Sequence, residues 1–221
     1  MANRRRQWPV PAALIALSLI PAAAGAARLT QLAGGAPVTS ENARFFALPL
    51  PVIVHVIGAT TFCILGAFQF VPALRRGRWH RLAGRVLVPC GLAAAVSGMW
   101  MAAFYDLPAH DNALLEAFRL VFGTLMAVSL VLGVASILRR NIADHRLWMM
   151  RGYAIGMGAG TQVLLILPWT LVLGEPSPTE RALLMGAAWV LNLAVVECIV
   201  RRGRTRQSSE RLMRLPLSSL R

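Results

Sequence analysis

The stretch LPVIVHVIGATTFCILGAFQFV, residues 50–71, carries one histidine and no Asp, Glu, Lys or Arg. A bilayer core about 30 Å thick is crossed by about 20 helical residues rising about 1.5 Å each, so this run can span it. Five further apolar runs lie near residues 8–27, 86–105, 116–138, 148–173 and 182–200. None has the alternation of a barrel strand, and backbone in lipid must satisfy its own hydrogen bonds, which leaves helices. The expected fold is therefore all-α. It is a polytopic membrane protein of six transmembrane helices whose spans two to five form a four-helix core.

Composition agrees, since 57% of the 221 residues are apolar and 14% charged. A soluble domain carries roughly 25% charge, and a disordered chain far less apolar surface. The net charge of +14 comes wholly from arginine. Nineteen of the 23 arginines fall at residues 4–6, 75–85, 139–151 and 201–221, whereas Arg28, Arg44, Arg119 and Arg181 fall toward the opposite face. That second face also holds Glu41, Asp106, Asp111, Glu116, Glu175 and Glu180. The asymmetry fits the positive-inside rule with both termini cytoplasmic, so basicity reports topology in a bacterial inner membrane rather than nucleic-acid binding. The expected partners are the lipid bilayer and, at the basic tail, anionic lipid.

The chain divides into a first helix and outer loop (1–49), a core of two similar hairpins (50–173), a sixth helix (174–200) and the tail (201–221). The first run follows Arg4, Arg5 and Arg6 and ends in small residues, as a cleavable signal also does. Its length of about 20 residues favours a retained helix over a signal core of about 7 to 15. Cys63, Cys90 and Cys198 stand singly in three spans, without metal or redox spacing, and read as small buried hydrophobes.

The two inner loops resemble each other, with Leu74-Arg75-Arg76 preceding His80-Arg81-Leu82 and Leu138-Arg139-Arg140 preceding His145-Arg146-Leu147. This repeat aligns His55 in span two with Arg119 in span four. Gly84, Gly91 and Gly98 recur every seven residues in span three, and Gly152, Gly156 and Gly160 every four in span five. Small stripes suit close helix packing, or else leave room for a flat cofactor.

Ionisable groups at membrane depth are costly and are the default functional candidates. Four histidines on four helices or their ends admit a cytochrome b reading, with His80 and His145 holding haem iron and Arg85 and Arg151 meeting the propionates. His55 would belong to a weaker outer cofactor site. Haem b would then be the cofactor and electron transfer the function, with a redox partner the sequence does not identify. Interfacial anchoring of the same histidines is the plain alternative. A transporter would instead use His55, Arg119 and Glu197 as its path, and a third class is an assembly or lipid-binding protein. Asp144 is placed to cap the fifth helix, Glu197 to pair with an inner arginine, and Trp8, Trp79, Trp100, Trp148 and Trp169 to form an interfacial belt.

Four ordered motifs carry a family resemblance: His55-Val56-Ile57-Gly58, Gly66-Ala67-Phe68-Gln69-Phe70, His80-Arg81-Leu82-Ala83-Gly84-Arg85, and the stretch from His145 through Arg151 to Ala154. Over about residues 50–165 the chain resembles the bacterial predicted membrane proteins called domain of unknown function 2306. The resemblance points to His55, Gln69, His80, Arg85, His145, Arg146, Trp148, Arg151 and Tyr153. Two departures are Ala67, where the family usually has proline, and Val86, where an aromatic is common. The resemblance implies a multi-pass membrane protein and no settled activity, substrate or cofactor.

Overall fold

A computed structural model describes residues 8–74 and 77–213, with side chains as far as Arg202. The arginines at 4–6 and 75–76, and the tail side chains after Arg202, lie outside the described residues. The helices are α1 (Pro9–Ala33), α2 (Ala43–Ala47), α3 (Pro49–Ala67, continued by a 3-10 turn Phe68–Phe70), α4 (Arg78–Phe104), α5 (Ala113–Leu138), α6 (Ile142–Gly156), α7 (Gly158–Leu173) and α8 (Pro178–Met213). Six segments are long and apolar enough to cross a membrane, α6 and α7 together making the fifth. Every expected span is present. α4 and α6 start several residues earlier than the apolar runs, so His80, Arg85 and His145 are helical.

Local chemistry sets the helix starts. Pro9 and Pro49 open α1 and α3, where a missing N–H costs no intrahelical bond. Asn112 caps α5 by accepting from the Leu115 amide at 3.1 Å. The cap of α6 is Asn141 rather than Asp144, because its side chain accepts the Asp144 amide at 3.1 Å. Asp144 sits three residues into the helix, and its carboxylate accepts from the capping side chain, Asn141 Nδ2, at 2.7 Å.

The fifth span breaks at Met157, between α6 and α7. A break at membrane depth strands carbonyls that must find other donors. Asn192 Nδ2 donates to Ala154 O at 3.0 Å, and the Cys63 thiol to Gly156 O at 3.4 Å. Thr161 Oγ1 donates to Asn192 Oδ1 at 2.9 Å and fixes that amide. Cys63 is thus more than the small hydrophobe its surroundings suggest.

α3 packs on α4, α4 on α5, α5 on α6, and α6 back on α3. α1 lies against α3 and α7, and α8 against α5, α6 and α7. The largest buried cluster draws Phe62, Leu87, Phe122, Met126, Leu130 and Tyr153 from spans two to five. Large apolar side chains such as Leu50, Val96, Val131, Leu164 and Val190 are exposed around the outside, as contact with a lipid bilayer requires.

Large apolar side chains fill three of the stripe positions. A Cβ on Gly91 would lie 2.8 Å from both Phe62 and Leu130, one on Gly156 2.9 Å from Phe62, and one on Gly152 3.0 Å from Leu130. Close packing therefore accounts for these three positions. Gly66 faces the Tyr153 ring, whose hydroxyl donates to Cys63 O at 2.7 Å, while Gly84 meets nothing within 4 Å. Gly66→Ala should cost about 1 to 3 kcal/mol by overpacking against Tyr153. Gly84→Ala should be neutral or stabilise by up to about 1 kcal/mol through helix propensity. Thermal unfolding in detergent checks the pair, and equal midpoints for the two variants would contradict this packing.

Candidate functional site

The end of the bundle that carries the acidic loops is tied together by long-range contacts. The Tyr105 hydroxyl, just past α4, donates to Leu48 O at 2.6 Å, and its ring packs edge-on against Phe45 and Trp100, each 5.5 Å away. Burial raises the Tyr105 pKa above the ordinary phenol value. The Phe45 ring is flanked by two guanidinium groups, Arg28 at 4.5 Å and Arg44 at 4.7 Å. The short helix α2 is thereby held at the rim with Arg44 and Phe45 lining the space beneath it.

Asp111 is the electrostatic centre of this rim. Its carboxylate, 2% exposed, receives Arg119 Nη2 at 2.8 Å and Arg181 Nε at 3.1 Å. One carboxylate thus links the α4–α5 loop to α5 and to α8. A buried carboxylate between two forked donors has both oxygens occupied, which offsets its desolvation. Asn112 Nδ2 donates to Thr179 Oγ1 at 3.3 Å and adds a second tie to α8.

Below the rim lies a cavity of about 360 Å³, within the range of small-molecule sites. His55 and Arg119 both line it, each six residues into its helix and so about 9 Å below the helix starts. Both therefore face the bundle interior, though on non-neighbouring helices. In the circuit of packing contacts α3 and α5 are opposite corners, with α4 and α6 between them. The walls continue down to Phe62 and Met126, both thirteen residues into their helices, about 10 Å deeper than His55. Trp189 of α8 forms another part of the wall, lying against Gly158 and stacked on Phe122 at 4.8 Å.

His55 Nδ1 lies 2.9 Å from Ala94 O, with Ser97 Oγ at 3.4 Å. A carbonyl can only accept, so Nδ1 carries the proton and Nε2 of the neutral ring carries the lone pair. Ser97 turns its own hydroxyl onto Ala93 O and stays with α4. The result is an oriented imidazole able to accept a hydrogen bond or bind a metal.

The arginine-rich end is arranged differently. His145 Nδ1 lies 2.8 Å from Gly133 O, which fixes that ring in the same tautomer. His80 is half-buried at the start of α4, with Nδ1 shielded from solvent, and Arg85 is exposed. Arg151 Nε pairs with Glu197 Oε1 at 2.7 Å, as expected for Glu197, and its guanidinium lies 4.7 Å from the Trp148 ring. His80 and His145 stand on α4 and α6, the other two opposite corners of the circuit. Among the described residues no group of three or more His, Cys, Asp or Glu side chains could hold a metal ion.

The repeat alignment found His55 and Arg119, and the charge asymmetry placed Asp111 on this face. Trp189, Arg44 and Arg181 escaped, the first because its span offers no local signal and the arginines because they read as topology alone. Nothing along the chain links residue 111 to residue 181. Asp111→Asn should destabilise the protein by about 2 kcal/mol, since two partly exposed guanidinium groups lose their counter-charge. Arg119→Gln should cost less because the Arg181 bridge remains. Equal stability of Asp111→Asn and the unaltered protein in a denaturant titration would overturn this account.

No curated protein and no solved structure matches the chain. A family model described as predicted membrane protein (DUF2306) matches residues 52–200, which takes in α3 through the membrane-spanning part of α8 and both histidine-bearing ends. The match covers well over half of the chain, and the protein belongs to this family of predicted membrane proteins, DUF2306.

Proposed function

We propose that this is a membrane-embedded binding protein or carrier for a small, largely apolar molecule, held in the cavity between His55 and Arg119. The observation that carries this reading is the cavity itself, with an oriented imidazole and a guanidinium at one level and Phe62, Phe122, Met126 and Trp189 below. Such sites combine an apolar body with few polar groups. Methionines at 99, 126 and 185 add side chains that adapt to different shapes. The arginine asymmetry supports a bacterial inner membrane with both termini cytoplasmic, so the cavity would open toward the periplasm. A reporter at the C-terminus should be cytoplasmic and one in the loop before α5 periplasmic; the reverse pattern would invert the entry side.

A long-chain alcohol brominated at its far end should quench Trp189 fluorescence saturably in the purified protein. Ala59→Phe, which fills the cavity, should abolish saturation, as should Trp189→Phe. Quenching that rises linearly with detergent partitioning in all three proteins would remove the reading.

A second reading, haem-linked electron transfer through His80 and His145, is favoured by the tautomer of His145, whose lone pair sits on Nε2. In it Arg85 would meet a propionate, and Arg151 would have to leave Glu197 to do the same. Protein purified from haem-replete cells should then show a Soret band that shifts on reduction and is lost in His145→Ala. Colourless, folded protein would end that reading and leave the cavity reading intact.

A further inference from the structure

We propose that the molecule taken up by this cavity is a single-chain amphiphile with an anionic head, the head resting at Arg44 and Arg119 and the chain running down toward Phe62 and Trp189. The inference rests on the cavity being a binding site and adds the chemical class and the orientation of what it binds.

Charge at the rim carries the argument. Arg44, Arg119 and Arg181 meet there, and the carboxylate that serves them, Asp111, is buried and fully engaged by the second and third. Arg44 makes no ion pair among the described residues; its Nη1 reaches Asp106 O, a neutral carbonyl, at 3.4 Å. Its charge is felt at Arg119 and Arg28 as repulsion and at Asp111 as attraction. Asp106 also lines the cavity, so the two lining arginines are matched in number by two lining carboxylates, and Arg44 is the lining cation left outside the Asp111 bridges. A partly buried guanidinium stacked on Phe45 has its fork oriented, and a forked donor suits a carboxylate or phosphate.

Shape supplies the second half. The cavity is open at the rim and descends about 10 Å below the His55 level between apolar walls, toward the middle of the bilayer. A body buried there gains the hydrophobic term, whereas a charge there does not. A ligand charged at one end therefore has one favourable orientation, head at the rim and tail at the floor. Trp189, eleven residues into α8 and about 16 Å below its start, lies beside the tail.

The test compares three long-chain ligands brominated at the far end, a carboxylic acid, an alkyl phosphate and an alcohol, in a zwitterionic detergent with Trp189 quenching as readout. The two anions should bind about tenfold or more tightly than the alcohol, by the usual strength of a charge-assisted pair. Arg44→Gln should bring the affinities of the two anions down toward that of the alcohol. Arg119→Gln is the second variant, because Asp111 keeps Arg181. An acid brominated beside its carboxylate should bind but quench Trp189 weakly. If the phosphate exceeds the acid, the head is of the phospholipid type; if the reverse, of the fatty-acid type. Saturable binding of the alcohol with equal affinity for the anions would overturn the anionic head and spare the cavity reading. No saturable binding by any ligand would overturn both.

Discussion

Phe62 is the side chain on which the bundle closes. It projects from α3 into a space that α4 leaves at Gly91 and α6 at Gly156, so one ring meets two helices where neither has a Cβ. Leu130 does the same from α5, against Gly91 and Gly152. Helices in lipid gain little from excluding one another's apolar surface, because the tails are equally apolar, and association depends on close dispersion contacts of this kind. Gly91, Gly152 and Gly156 are the sockets, and Phe62 and Leu130 are the pegs.

The same ring lines the deep end of the cavity. Below Phe62 the four corners of the packing circuit approach closely, with Tyr153 bonded to Cys63 O and Cys63 to Gly156 O. Above it the helices hold a space of about 360 Å³. The rim spans that space with ties made by loop residues, Tyr105 to Leu48 and Asp111 to Arg119 and Arg181. Tight packing at one level and charged spacing at another thus produce an apolar well whose mouth carries both arginines and carboxylates.

The two ends of the bundle treat histidine alike and arginine differently. His55 and His145 both give Nδ1 to a backbone carbonyl of the neighbouring helix, which locks ring and tautomer together. Arg151 is neutralised by Glu197, whereas Arg44 is left with a carbonyl and an aromatic face.

The sequence by itself determined the spans, because apolar length against bilayer thickness is a local property, and it singled out His55 and Arg119, because a charge inside an apolar run is conspicuous. It also determined where the glycines stand. Only the tertiary structure decided what faces them, since a stripe of missing Cβ atoms has the same pattern whether a porphyrin or a phenylalanine fills it. Likewise only the fold could bring Arg44, Asp111 and Arg181 to one rim. Their separation along the chain carries no periodic signal, and the pairing depends on where α2 and α8 come to rest beside the loop before α5. Even the cap of α6 turned on geometry, as Asn141 and Asp144 are both capable residues and the backbone at Asn141 settles which one accepts.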